Sequence, residues 1–442
     1  MILGVIADDF TGATDVASML VRAGMRTLLV IGVPDRADTV DADAVADAVV
    51  IALKTRTVPA AEAVRESLAA LRWLQAAGMR QCYFKYCSTF DSTPAGNIGP
   101  VAEALMTALA APFAIACPAF PENGRTIFRG HLFVGDELLS DSGMRHHPLT
   151  PMTDANLVRV LQAQCSGRVG LVRQDTVAQG VAAVRERFDA LRADGISMAI
   201  GDAIANDDLR VLAAACADHP LLTAGSGLAL GLPAVYAERG WLTPDAGAAD
   251  LGPSGGLAAV LAGSCSLATN AQVLRWQQAG RPAFAIDPRA LARGEPVAAN
   301  ALAWSHAQHM NTGADAGAGA DAVADGTVLI YATASAEALS AVQSELGAMQ
   351  AGALVEGCLA HIALGLVEQG VRRLVVAGGE TSGAVVQALG VTRLRIGPAI
   401  CPGVPWTQAE SRPHDAPLHL ALKSGNFGGP DFFDDALRAS QP

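Results

Sequence analysis

The sequence predicts an α/β protein of two domains, each a mainly parallel sheet flanked by helices, with an interdomain cleft. Three observations predict it. Short β-branched runs alternate with helical stretches along the chain, and the runs are continuously apolar, as strands buried on both faces are. The 442 residues suffice for two or three ordinary domains. The stretch Ala237–Gly256 is rich in Gly, Pro and Ala, lacks hydrophobic periodicity, and divides the alternation into two series.

The elements follow in order. Ile2–Ala7, Thr27–Ile31, Ala48–Leu53, Cys82–Tyr86, Phe113–Cys117, Gly170–Arg173, Met198–Gly201 and Pro220–Thr223 read as strands. Helical patterns such as Ala13–Ala23, Ala60–Ala77 and Val177–Ala193 lie between them. After the break, Leu257–Leu261, Ala283–Ile286, Thr327–Tyr331, Leu374–Ala377, Arg393–Ile396 and Leu418–Lys423 form a second strand series. The expected domains are residues 1–245 and 257–442, joined by a linker at 246–256. Thr312–Gly326 is low in complexity and reads as a surface loop whose three aspartates are solvated. No internal repeat is evident.

Composition narrows the function. Half the chain is hydrophobic (51%) and only 17% is charged, which disfavours disorder. A net charge of −12 argues against a nucleic-acid partner but leaves room for a small anion held by a local cationic cluster. The eight cysteines form no Cys-x-x-Cys pair, and their scatter suggests reduced thiols in a cytoplasmic protein. His146-His147 and His306/His309 lack zinc spacing and read as structural or surface residues. The N-terminus has no basic region or cleavage site, and no stretch reaches 18 uninterrupted apolar residues, so no membrane partner is expected.

Ligands of such folds sit beyond the carboxyl ends of strands, so the polar residues that follow strands matter most. Ala7-Asp-Asp-Phe-Thr-Gly-Ala-Thr-Asp15 puts Asp8, Asp9, Asp15 and the hydroxyl of Thr11 at one turn. Such a cluster can bind sugar hydroxyls, hold a hydrated Mg²⁺ or take a proton. Helix capping alone needs only one such residue. Lys54-Thr-Arg-Thr57, Lys85–Asn97 and Pro118–His131 each pair cations with hydroxyls or amides. Together they suit a small, hydroxyl-rich carboxylate, with Arg or Lys on the carboxylate and Asp, Asn, Ser or Thr on the hydroxyls.

In the second series, Val371–Gly390 reads as a strand, a glycine-rich turn and an amphipathic helix. Backbone N–H groups at a helix N-terminus favour a phosphate, and Thr381 and Ser382 add hydroxyl donors. It is not a Walker A loop, because no Gly-Lys-Ser/Thr follows. Leu261–Asn270 repeats the strand, small-residue turn and helix. Gly263-Ser-Cys-Ser-Leu267 lacks the second glycine of a nucleophile elbow, so hydrolase chemistry is disfavoured. Leu422–Gly429 adds a cation, a hydroxyl and flexible backbone.

These motifs resemble those of the four-carbon acid sugar kinases, most closely the branch acting on 3-oxo-tetronates. The carrying segments are Ala7–Asp15, Lys85–Thr93, Gly263–Ser266, Gly378–Gly383 and Leu422–Gly428, which together reach from the first strand almost to the last. The resemblance implies an N-terminal domain for the sugar acid and a C-terminal domain for ATP. It implies ATP contacts at Ser264, Gly378, Gly379, Glu380, Thr381 and Gly403. For the acid sugar it implies the Asp8/Asp9 loop, Arg56, the Lys85–Thr93 loop and Asn123. Residue chemistry adds Thr11, Asp15, Lys85, Ser88, Thr89, Asp91 and Ser92 on the sugar side, and Ser382, Lys423 and Ser424 on the phosphate side. Threonate and erythronate kinases carry a loop closer to Lys-x-x-Ser-Thr-x-Arg-Gly, and here Asp91 stands where that arginine is expected.

The expected reaction is transfer of the γ-phosphoryl of ATP to the 4-hydroxyl, with Mg²⁺ bridging phosphate oxygens and domain closure excluding water. Asp8 or Asp9 orients or deprotonates the hydroxyl, and the sequence does not choose between them. It does not name metal ligands, substrate stereochemistry or oligomeric state, for which a homodimer is one option. Phosphorylation of threonate or erythronate and a non-catalytic sugar-acid sensor are the alternatives.

Overall fold

The computed structural model describes residues 1–34, 46–147, 150–253, 255–312, 326–334, 341, 344–411 and 414–439. Residues 313–325 of the low-complexity stretch lie outside the described residues. The chain divides into two compact units, Met1–Ala249 and Asp250–Pro442.

The first unit contains β1 (Leu3–Ala7), β2 (Thr27–Ile31), β3 (Ala48–Ala52), β4 (Gln81–Lys85), β5 (Ala114–Cys117), β6 (Arg125–Phe128), β7 (His131–Val134), β8 (Glu137–Leu138), β9 (Arg168–Val172), β10 (Ile196–Gly201) and β11 (Leu221–Ala224). Eight of these form a parallel run in the order β2-β3-β1-β4-β11-β5-β10-β9. Every residue of β1, β3, β4 and β5 is buried, which explains why their sequences show no alternation. The helix Phe10–Arg22 starts where Asp9 accepts the Gly12 N–H at 3.1 Å. It buries Ala13, Val16, Ala17 and Leu20, the spacing of one helical face.

Two details depart from the sequence expectation. The helical pattern 177–193 is cut at Gly180, whose φ of +95° ends Gln174–Val177 and lets Val181–Ala193 begin afresh. Strand β6 falls in the stretch Pro118–His131 read as a polar loop, and β7 and β8, which complete a small antiparallel sheet with it, were not anticipated. Their alternation is too short to register as a strand pattern.

The second unit contains β12 (Leu257–Ala262), β13 (Ala283–Ala285), β14 (Val328–Tyr331), β15 (Val371–Ala377), β16 (Arg393–Cys401), β17 (Val404–Ser411) and β18 (His414–Lys423), in the order β13-β14-β12-β15-β18-β17-β16. The first five positions are parallel, and β16 and β17 fold back as antiparallel partners, β17 beside β18. Helix Ala348–Glu368 is long and apolar enough to cross a membrane by length and composition. Here it is a core helix: Leu359, Ile362, Ala363, Leu366 and Val367 are fully buried, and it packs on helices Val297–Thr312 and Gly379–Ala388.

A repeat invisible in the sequence appears in the backbone. The first four parallel strands of each unit have one order, β2-β3-β1-β4 and β13-β14-β12-β15. In each, the chain leaves the first strand toward one side and returns on the other. That divergence opens a crevice at the carboxyl end of the first strand, the topological switch point where α/β folds place ligands.

Trp406 is buried to 1% exposure in the second core, and its indole N–H donates to Ala436 O at 2.9 Å. Trp406→Ala is expected to lower the unfolding free energy by about 3–5 kcal/mol, measured by chemical denaturation.

Candidate active site

In the first unit the switch point lies between β1 and β4, and Asp8, Asp9 and Lys85 stand there. The Asp8 carbonyl accepts from the Thr55 and Arg56 N–H groups at 2.9 and 3.1 Å, which fixes the turn after β3 against the end of β1. The Arg56 guanidinium then donates to both Asp8 oxygens, at 3.0 and 2.8 Å, and to Asp9 Oδ1. Asp91 Oδ2 lies 3.9 Å from Arg56 Nη1. Thr89 donates to Asp91, and the loop carrying both is anchored by the buried rings of Tyr86 and Phe90, 5.4 Å apart and edge-on. The Asn97 side-chain amide donates to the carbonyls of Thr55, Arg56 and Val58 at 2.6, 3.2 and 2.9 Å, clamping the Arg56 turn.

Gly12 shows how closely the charges pack. A Cβ there would lie 2.3 Å from Asp9 Oδ1 and 2.5 Å from Lys85 Nζ, so the ends of both side chains occupy the space that the bare glycine leaves. Burial pushes the Asp8 carboxyl up from its ordinary range, and Arg56 only partly offsets this. For Asp9 burial is again the largest influence, but Arg56, Lys85 and the Gly12 N–H together outweigh it and hold the carboxyl below the usual range. Burial raises Asp15, with Lys85 opposing. The site thus holds one firmly ionised carboxylate beside two that burial makes more basic.

The structure brings Asp8, Asp9, Asp15, Arg56, Lys85, Thr89 and Asp91 together around this end of the sheet. Thr11 lies in the first helical turn, and Ser88 is half-buried in the Lys85–Thr93 loop. Ser92 accepts from Gln164 at 2.8 Å, so its oxygen already has a structural partner. Asn123 closes a short 3-10 turn and offers its carbonyl to Arg125. Arg56, expected on the substrate carboxylate, is instead held by Asp8 and Asp9 with Asp91 close by. Residues 8, 56 and 91 are distant in sequence, and nothing local to Arg56 announces that pairing. Gln164 was missed for the same reason, and Asn97 and Arg125 were read only as members of the polar loops Lys85–Asn97 and Pro118–His131, without these partners.

The second unit builds its site at the β12/β15 switch point from three converging turns. Gly263 N–H donates to Ala377 O at 3.0 Å, and Gly378 N–H to Lys423 O at 2.9 Å, so the ends of β12, β15 and β18 are stitched side by side. Gly378 has φ +132°, a conformation that favours glycine, and a Cβ there would meet Thr381 Oγ1 at 2.9 Å and Ser264 N at 3.2 Å. A Cβ on Gly263 would lie 2.2 Å from Thr381 Oγ1. Ser264, Gly378 and Thr381 are therefore in mutual contact range across more than a hundred residues of sequence. Gly379 and Glu380 are exposed in the first turn of Gly379–Ala388, whereas Thr381 and Ser382 are buried. Gly403 turns between β16 and β17 with φ +80°, at the edge where Trp406 pairs with Ala421, two residues before Lys423.

Lys423 differs most from expectation. Read as the cation for phosphate, its side chain is fully buried, and its ammonium donates to Thr269 Oγ1, Ser424 O and Gly425 O at 3.1, 3.1 and 2.9 Å. Ser266 and Thr269 hydroxyls donate to the same Gly425 carbonyl, and the Gln272 amide donates to the carbonyls of Phe427, Gly428 and Gly429 at 3.1, 3.2 and 3.0 Å. Lys423 thus fastens the Ser424–Gly429 loop to the Gly263–Thr269 turn. Burial lowers its ammonium to about 8.

Comparison with known proteins agrees with this division. Residues 3–232 match the family described as a sugar-binding N-terminal domain, and residues 259–433 match a nucleotide-binding C-terminal domain. The chain is similar to proteins named 3-oxo-tetronate kinase from Cupriavidus necator, with 62% identity covering 99% of this chain and 96% of the relative, and from Pseudomonas fluorescens, with 61% identity and the same coverage. The chain belongs to the four-carbon acid sugar kinase family. Among solved structures it resembles one from Salmonella typhimurium LT2 whose description proposes a tRNA synthase, with TM-score 0.85 and 45% identity over 99% of both chains. A Haemophilus influenzae structure matches with TM-score 0.78 and 44% identity over 98% of both. A relative from that Salmonella strain, 47% identical over 99% of this chain and of itself, is named 3-oxo-tetronate kinase.

Two outcomes are expected of this family member. Gly12→Ala displaces the Asp9 and Lys85 side-chain ends that crowd Gly12, so turnover is expected to fall about 100-fold, measured by steady-state kinetics. For Lys423, the group binds its proton at about 8 when folded against 10.5 unfolded, so the unfolded state holds more protons between those values. Stability therefore rises with pH through that window and is unaffected by this group below it. Relative to Lys423→Met, unfolding free energy is expected to climb by about 3 kcal/mol from pH 8 to 10.5, measured by denaturant titration at each pH.

Proposed function

We propose that this protein transfers the γ-phosphoryl group of ATP to the 4-hydroxyl of a 3-oxo-tetronate, yielding the 4-phosphate and ADP. The observation that carries the reading is that the relatives at 46–62% identity, matching 98–99% of this chain, share the name 3-oxo-tetronate kinase. The geometry of both units supports it. Eight free cysteines fit work in the reducing cytoplasm.

Phosphoryl transfer needs positioning, charge neutralisation and a path for the hydroxyl proton. Asp9 is the residue assigned to orient the 4-hydroxyl and receive its proton. Its side chain is 26% exposed against 8% for Asp8, and Arg56 and Lys85 keep it ionised. Asp8 holds Arg56 with both oxygens and so positions Asp9 through that guanidinium. Thr11, Ser88, Thr89 and Asp91 are proposed to meet the sugar hydroxyls. On the nucleotide side, the N–H groups of Gly379, Glu380 and Gly403, with the Thr381 and Ser382 hydroxyls, are assigned to cradle the phosphates, while Ser264 and Gly378, whose N–H groups donate to the Ala377 and Lys423 carbonyls, shape the turn that lets the nucleotide approach. Lys423 and Ser424 set the shape of that cradle.

No group of three or more His, Cys, Asp or Glu able to hold a metal occurs among the described residues. Kinases commonly hold Mg²⁺ mainly on nucleotide phosphates, where it would neutralise their charge.

A coupled ADP-release assay over four-carbon acids is expected to show highest kcat/KM with a 3-oxo-tetronate. Threonate or erythronate as the better substrate would replace this reading, and no ADP release with any acid would favour a sensor. Asp9→Asn is expected to lower kcat about 100-fold or more, and near-wild-type kcat in both Asp8→Asn and Asp9→Asn would remove the assigned role. Gly378→Val should abolish ATP binding and spare sugar-acid binding, read by calorimetry.

A further inference from the structure

Asn97 stands at the N-cap of helix Ile98–Ala108, a position its residue type favours, yet its side chain makes no capping bond. None is needed there. A capping side chain serves the second or third N–H of its helix. Here the second, on Gly99, donates to Gln164 Oε1 at 3.0 Å, and the third residue is Pro100, which has no N–H. The Asn97 amide is committed instead to the carbonyls of Thr55, Arg56 and Val58. Three carbonyls accept only from an NH₂ group, which fixes the orientation of the amide. Asn97 Oδ1 is left buried without a partner, which is unfavourable. Capping therefore does not account for an asparagine at this position, and its donor end does.

The gripped turn carries the charge arrangement of the site. The Thr55 and Arg56 N–H groups donate to the Asp8 carbonyl at 2.9 and 3.1 Å, and Asn97 holds the carbonyls of the same two residues at 2.6 and 3.2 Å. The Arg56 backbone is thus tied through both its donor and its acceptor, and its guanidinium reaches Asp8 and Asp9 from that fixed base. The charged groups facing Asp9 are Asp8 at the end of β1, Asp15 on the first helix, Lys85 at the end of β4 and Arg56 on this turn. Asp91 and the Cys87 thiol face Arg56 in turn. Burial opposes the ionisation of Asp9, and among the groups that favour it Arg56 acts most strongly.

We propose that Asn97 is a positioning residue for the reaction, aiming the Arg56 guanidinium at Asp9 by gripping the 55–58 turn. The proposal rests on the kinase reading and on Asp9 as the group that receives the hydroxyl proton. Asn97 itself touches only main chain, so it acts through Arg56. Loosening the turn lets Arg56 wander, and Asp9 loses both its place and its strongest counter-charge. Its carboxyl is then misplaced for the hydroxyl and holds its proton to higher pH.

The test uses the full chain and two readouts. One is steady-state kinetics with ATP, Mg²⁺ and a 3-oxo-tetronate. The other is the titration of the Asp9 carboxyl, followed by NMR in protein labelled at its aspartate carboxyls and assigned by the signal missing from Asp9→Asn. Asn97→Ala is expected to lower kcat about tenfold, to keep the KM for ATP within about twofold of wild type, and to raise the pH at which Asp9 titrates by about one unit. Asn97→Ser, whose hydroxyl restores one bond, is expected to change less in both readouts. The control is Gln81→Ala. Gln81 grips the carbonyls of Cys216 and His219 at 3.1 and 2.6 Å from the amino end of β4, the end opposite Lys85. Its loss is expected to lower the melting temperature and to leave kcat and the Asp9 titration as in wild type. An unmoved Asp9 titration in Asn97→Ala overturns the proposal, and so does wild-type kcat, or changes in Gln81→Ala equal to those in Asn97→Ala. If Asn97→Ala does not fold, Asn97→Ser decides by the same criteria. Wild-type protein that releases no ADP with any four-carbon acid sinks the kinase reading, and the Asp9 titration then decides alone whether Asn97 aims Arg56.

Discussion

Parallel pairing is the constraint from which the rest follows. A parallel strand cannot be reached by a tight turn, so the chain must cross back over the sheet before each new strand. Where successive crossovers leave in opposite directions, the end of the first strand opens and its following residues face no covering helix connection. Both units obey this with one strand order, and both place their polar turns at that opening: Asp8, Asp9 and Lys85 in the first, Ser264 and Gly378 in the second. Topology therefore chooses the location, and local sequence fills it with either charge or bare backbone.

The filling differs in a way that suits different ligands. The first unit gathers ionised side chains, and its main problem is charge density. Arg56 solves part of it by neutralising Asp8 and Asp9 at once, at the cost of its own availability. The second unit gathers backbone N–H groups and small residues, with Lys423 buried among carbonyls and hydroxyls. A cation sunk in this way shapes a loop and carries its charge through shape.

Much of this was legible in the sequence. Buried parallel strands announce themselves as unbroken apolar runs, and all fourteen runs named from the sequence correspond to strands. The antiparallel pieces were harder: β17 and the β6–β8 sheet mix polar and apolar residues over too few positions to declare a period. The break at Gly180 was hidden because a lone glycine inside a helical pattern has several readings. In the site, residues adjacent to strand ends were recoverable because position after a strand is a local property. The partnerships were not. That Arg56 belongs to Asp8, or that Lys423 belongs to Thr269, depends on which strands lie side by side, a fact no local window contains.

The two carboxamide clamps have a consequence for how such a site can change over generations. Asn97 grips the 55–58 turn and Gln272 grips the 427–429 loop solely through main-chain carbonyl oxygens. A grip of that kind ignores side-chain identity. Residues on the gripped loops can be exchanged while the loop's path is conserved, so recognition can drift toward a new ligand without first sacrificing the scaffold. Variation should accumulate on the held loops and be scarce at the two amides that hold them, because a carboxylate in either place would turn a donor against three acceptors.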